Sequence, residues 1–231
     1  MRRIFIMETI AIPLLFIIYS GMLLHFLAYV KRPDYREKYV VRKSIQSAAF
    51  LVVFFLIELL TGCSAFFWQV LPAFFCCFAG DVLLGVYNKV PRKRIFAEGL
   101  FIFLTGHLFF IRWMGQMQKL SAVDFIFPVI GIGLVWVVTG SRNIHTGRLR
   151  PCILLYSFFV SLLCAKGVHI FLVQRDLPSV LIALGSLLFL ASDFSIIFLY
   201  FYKNRNKRIH LFNLTTYYYA MFLLAVYLLF L

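Results

Sequence analysis

The sequence predicts an all-α integral membrane protein, a bundle of about eight transmembrane helices, and three observations carry that reading. Of 231 residues, 63% are hydrophobic and only 14% charged, too few charges to coat a water-soluble globule, so lipid is the remaining solvent. The apolar runs are continuous and show no polar alternation, which disfavours a β-barrel. A span needs roughly 20 apolar residues, so the length suits about eight helices with short connectors, in one transmembrane domain covering residues 1–231.

The first run, residues 9–30, follows Met1-Arg2-Arg3 like a secretory signal, but it is long for one and lacks a convincing cleavage site, so it reads as a retained first helix. The second, 44–60, is short and carries Glu58. The third, 66–87, holds Asp81, and the fourth, 95–113, holds Glu98 and His107. The fifth, 122–139, is short again. The sixth, 151–172, contains Lys166; the seventh, 177–202, contains Asp193; the eighth, 211–231, opens on Asn213 and three consecutive tyrosines. The cysteines Cys63, Cys76, Cys77, Cys152 and Cys164 form no spaced metal pattern and read as small packing residues.

Charge sets the expected orientation. The connectors after helices one, three, five and seven hold six, four, three and four Lys or Arg, seventeen in all, including Arg42 and Lys43. The opposite side has five: Arg2, Arg3, Arg112, Lys119 and Arg175. This alternation supports eight spans with both termini outside, in a bacterial-style cytoplasmic membrane. The net charge of +14 therefore reads as topology signals and lipid-headgroup contacts, and no nucleic-acid partner is expected.

An ionisable residue in mid-span costs about 2.5–3.5 kcal/mol on the insertion scale, so each needs a reason. Glu58 and Lys166 lie near the outer helix ends, where snorkelling relieves the cost, and the two are placed to pair. Asp81 and Asp193 lie deeper, roughly 12–15 Å below the basic connectors at 1.5 Å per residue, and at similar depth. Each is either an acid bonded in packing or part of a shared polar cavity, and equal depth favours the cavity. On helix four, Phe96, Gly99, Phe103, His107 and Phe110 form one stripe, which sets His107 apart from the packing histidines His25 and His169. Glu98 falls on the opposite face and reads as a salt-bridge residue near Arg94. On helix eight, Asn213, Tyr217 and Ala220 share a stripe with Tyr218 beside it, where the tyrosines either belong to an interfacial belt or donate hydrogen bonds into the cavity.

These pieces resemble the YhhN, or lysoplasmalogenase, family of polytopic membrane proteins. The likeness lies in Gly80-Asp81-Val82-Leu83-Leu84, in Phe96-x-x-Gly99 continuing to Phe103-x-x-x-His107, in Gly185-x-x-Leu188-Phe189-x-x-Ser192-Asp193, and in Thr216-Tyr217-Tyr218-Tyr219-Ala220. It extends from helix two to the end. The chain departs from the family pattern at Lys43-Ser44, where a Lys-Pro pair opens helix two, at Met221, where a Gln follows the alanine, and at Phe109-Phe110, where a Tyr follows the histidine.

The resemblance implies hydrolysis of the vinyl ether of a lysoplasmalogen, a lysophospholipid, to a fatty aldehyde and a glycerophospho-base. Such chemistry needs a protonated carboxylic acid and a nearby carboxylate, a division of labour like that of glycosidases. Asp81 and Asp193 are the expected catalytic pair, with Gly99, Phe103, His107, Asn213, Tyr217 and Tyr218 around the substrate, and with no cofactor and no metal. The competing class is a proton-coupled transporter or lipid-binding membrane protein using the same acids.

Overall fold

The computed structural model describes residues 10–62, 65–203 and 206–230. The expected helix ends at Thr9 and Leu231, the charges Arg2, Arg3 and Arg205, and Cys63 lie outside the described residues. Among the described residues, eight helical spans are long and apolar enough to cross a membrane. Their α-helices are α1 (Ile12–Val30), α2 (Tyr39–Thr61), α3 (Phe67–Lys89), α4 (Lys93–Met117), α5 (Ile126–Thr139), α6 (Arg150–Gln174), α7 (Leu177–Phe201) and α8 (Lys207–Tyr227), and the fifth span, Ala122–Thr139, takes in the turn before α5. A 3-10 turn over Ala122–Phe125 leads into α5, and another, Leu228–Phe230, follows α8. Ile144 and Tyr202 form an isolated antiparallel bridge that ties the α5–α6 connector to the end of α7.

The helix ends differ most from hydropathy where basic residues gather. α2 starts at Tyr39 rather than near residue 44, and α8 at Lys207 rather than near 211. Apolar segmentation stops at the first charges, but the backbone still needs internal partners there, and Lys and Arg are good helix formers whose heads reach the interface.

Local signals set several ends. Proline occupies the first turn of α1, α6 and α7, where its missing N–H costs nothing. Gly62, at φ 81°, ends α2 in the left-handed conformation that glycine adopts freely. Asp176 caps α7: its Oδ1 accepts from Ser179 N at 2.8 Å, and its own N–H donates to Ser179 Oγ at 3.2 Å. Those Ser179 contacts hold the Asp176 carboxyl below the usual carboxylate range.

The bundle is apolar outside as well as in. Leu59, Trp68, Phe101, Val129 and Val137 are exposed, as spans facing hydrocarbon should be. α8 is the most enclosed span, while α1 and α5 are the most open to lipid. Packing of α7 and α2 on α8, and of α4 on α3, brings Phe50, Phe74, Phe110, Phe189 and Tyr217 into one aromatic core. α5 packs chiefly on α6, and this arrangement leaves the space that becomes the main cavity.

Candidate functional site

Asp81 on α3 is buried against α2. Its Oδ1 lies 2.9 Å from Lys43 Nζ, and its Oδ2 accepts from Ser47 Oγ at 2.6 Å. Ser47 Oγ is 3.0 Å from the Tyr218 hydroxyl, which in turn donates to the Lys43 carbonyl at 3.3 Å. Lys43 is only 5% exposed, so it is corrected from a connector charge to an internal counter-ion; the early start of α2 points its side chain inward. The topology bias becomes sixteen to five without it, and its alternation is unchanged.

Asp193 on α7 has different neighbours. Its Oδ2 accepts from the Tyr156 hydroxyl of α6 at 2.6 Å. His107 Nε2 is 3.3 Å from the same oxygen, an ion-pair distance, yet the geometry is not that of a hydrogen bond, and both ring nitrogens are buried without a hydrogen-bond partner. The His107 ring is held between Tyr156 and Phe189, with centroids at 5.2 and 4.8 Å.

The two carboxylates are joined through rings rather than directly. From Asp81 the path runs through Ser47 to Tyr218, then to Tyr217 at 5.1 Å, Phe189 at 5.5 Å and His107 at 4.8 Å, ending at Asp193. The shared-cavity expectation is corrected accordingly. A cavity of about 430 Å³ between α4, α5, α6 and α7 has Asp193, Tyr156, Ser157 and Ser161 among largely apolar walls, and Asp81 is not among its lining residues. The aromatic side chains between the two acids fill the space that equal depth alone suggested was open.

None of the six side chains expected around a substrate lines this cavity. Gly99 is a packing glycine, since a Cβ there would come 3.1 Å from Leu84. Phe103 lies directly on Gly80, whose absent Cβ leaves room for the ring. Asn213 clamps α8 to α7, donating to the Ser192 carbonyl at 2.9 Å while Ser192 Oγ donates back to the Asn213 carbonyl at 3.1 Å, beside Asp193. Tyr217 packs edge-on against Phe50, Phe103 and Phe189 and faces Asp81, while Tyr218 joins the Ser47 network. His107 backs Asp193 from outside the cavity wall. From the expected stripe, Phe96 does reach the wall.

Sequence reasoning missed Lys43, Ser47 and Tyr156. Ser47 lies one turn after Lys43, on the same face, which is a legible spacing; nothing marked Tyr156 among twelve tyrosines. It also missed Asp124, whose carboxylate accepts from Ser121 N at 2.8 Å and meets His169 Nδ1 at 2.7 Å and Lys166 Nζ at 3.3 Å. The Ser121-x-x-Asp124 spacing is a capping-box signal. Lys166 is therefore corrected from a partner of Glu58 to one of Asp124, and His169 from a packing residue to a hydrogen-bond partner of Asp124. Glu58 is 1% exposed and does not snorkel to water. Glu98 meets Arg94 at 2.8 Å, as its face on α4 required.

A helical membrane bundle that buries Asp81 against an ammonium and sets Asp193 on the wall of a largely apolar cavity defines a multi-pass membrane protein with an intramembrane polar centre. The family model described as the YhhN family matches residues 42–228, and the chain belongs to the YhhN family. No curated protein and no solved structure matches the chain.

Proposed function

We propose that the protein is an intramembrane lipid hydrolase that cleaves the vinyl ether of a lysoplasmalogen. The observation that carries the reading is Asp193: one carboxylate on the wall of a largely apolar cavity, with Oδ2 engaged by Tyr156 and Oδ1 free of hydrogen bonds among the described residues. An apolar chamber suits an alkenyl chain, and a single acid in it suits protonation of carbon.

In the proposed sequence, protonated Asp193 gives its proton to the alkenyl carbon remote from the ether oxygen. The double-bond electrons form the new C–H bond, and the ether oxygen shares its lone pair with the adjacent carbon to make an oxocarbenium ion. Water adds to that carbon and returns a proton to Asp193. Breakage of the C–O bond of the resulting hemiacetal, with the hydroxyl proton passing to the leaving oxygen, releases the aldehyde and the glycerophospho-base. The Tyr156 hydroxyl holds the carboxylate in place and stabilises its anionic form through its hydrogen bond, while the His107 ring packs beside the same oxygen.

Asp81 has a different part. Its charge is matched by Lys43, so taking up a proton there would leave a buried ammonium unpaired, a costly outcome in a dry interior. Asp81 with Lys43 is a fixed ion pair between α2 and α3, separated from Asp193 by the Tyr217 and Phe189 rings. The deciding experiment is turnover of alkenyl, alkyl and acyl lysolipids by detergent-purified protein. Aldehyde release from the alkenyl lipid alone supports the proposal. Absence of turnover, together with proton-coupled uptake in vesicles, supports a transporter, because transport needs two compartments and hydrolysis does not.

A further inference from the structure

A second open space lies away from both acids, between α1 and α2. Its upper part, about 820 Å³, is bordered by Gly21, Met22, His25, Lys38, Arg42 and Gln46. A lower part of about 220 Å³ shares Met22 and Ile45 with it and continues past Leu15 and Val52. The two make one groove, basic at one end and apolar along the rest.

The basic end is organised. Arg42 lies over the Tyr29 ring, Cζ 4.0 Å from its centroid, and Nη1 is 2.9 Å from His25 Nε2, so the guanidinium is held by an aromatic face and an imidazole. Among the described residues Arg42 and Lys38 make no ion pair with a carboxylate, although Asp34 and Glu37 lie in the same connector. One turn deeper, Gln46 is 2% exposed and its amide meets the Tyr19 hydroxyl of α1.

We infer that this groove binds an anionic glycerophospholipid, with the phosphate at Arg42 and Lys38 and one acyl chain lying between α1 and α2. The spacing fits a lipid and not a free phosphate. Below Arg42 the groove is walled by Ile45, Ala48, Ala49 and Val52, apolar side chains that suit an acyl chain. From Arg42 to Val53 the groove runs about 16 Å, roughly half of a 30 Å hydrocarbon core, which is one leaflet. Ser47, on the neighbouring face of α2, turns to Asp81 instead, so the lipid site and the acid site lie on different faces of one helix. This is a structural lipid site, distinct from the cavity at Asp193.

The test is native mass spectrometry of the full chain in detergent, titrated with phosphatidylglycerol or with phosphatidylcholine of the same chains, with glycerol 3-phosphate as a soluble competitor. Phosphatidylglycerol should bind about tenfold tighter, and Arg42→Gln should remove most of that preference, the loss of one charge-assisted contact. Gly21→Leu is the blocking variant: a Cβ at Gly21 meets nothing within 4 Å, so the added side chain fills the groove without disturbing the bundle. It should abolish retention of either lipid while thermal stability in detergent holds. Equal affinity for the two lipids, an unchanged preference in Arg42→Gln, retention unaffected by Gly21→Leu, or displacement by millimolar glycerol 3-phosphate would each overturn the inference.

Discussion

Lys43 Nζ lies 2.9 Å from Asp81 Oδ1 with both side chains buried, so α2 and α3 are joined by an ion pair inside the bundle. Breaking such a pair from one side strands a charge and costs about 3–5 kcal/mol, whereas removing both partners costs far less. Lys43→Met should lower thermal stability in detergent more than the Lys43→Met/Asp81→Asn double variant does. Additive losses would show that the two side chains do not act as a pair.

The charge alternation across eight spans predicts both termini on one side of the membrane, away from the basic connectors. Reporter fusions at the C-terminus and in the connector around Arg36 should give opposite signals, with the connector cytoplasmic. Matching signals would mean that a span is re-entrant or miscounted.

Asp193→Asn keeps the shape of the side chain but cannot deliver a proton, so turnover of an alkenyl lysolipid should fall by at least about a hundredfold. Tyr156→Phe removes one hydrogen bond to the carboxylate and should cost about tenfold, a loss of about 1.4 kcal/mol. Both variants should purify as monodisperse protein, because an amide is cheaper to bury than a carboxylate and a phenyl ring keeps the ring packing of Tyr156. Near-normal turnover in Asp193→Asn would exclude it from the chemistry.

The fold was legible because hydropathy and charge alternation report directly on which residues face lipid and which face water. The site was legible only where depth suffices as a clue: Asp81, Asp193 and His107 stand out because an ionisable side chain in mid-membrane needs a reason. Depth says nothing about azimuth, so two acids at one level were read as facing one cavity, while Tyr217 and Phe189 stand between them. Lys43 was hidden because a lysine at the end of an apolar run looks like a topology signal; only the true start of α2 turns it inward. Tyr156 was hidden because its importance comes entirely from contact across helices, between α6 and α7.

Ala191 borders the cavity beside Asp193, and the neighbouring walls are apolar side chains such as Leu134, Leu187 and Leu190. If the alkenyl chain lies there, its contact with the walls supplies ground-state binding, about 0.8 kcal/mol for each buried methylene. Ala191→Leu adds a branched side chain to the wall and takes up space that the distal part of a long chain would fill. Because Ala191 is partly exposed and faces the cavity, the larger residue has room without overpacking the core. KM for a long-chain alkenyl lysolipid should rise several-fold, while kcat and the KM for a short-chain substrate stay nearly constant, since uniform binding changes KM alone. Asp193→Asn would lower kcat for both chain lengths, so the two variants separate binding from chemistry. An equal rise in KM for short and long chains would place the chain elsewhere, and a fall in kcat without change in KM would mean that the added side chain had displaced Asp193 itself.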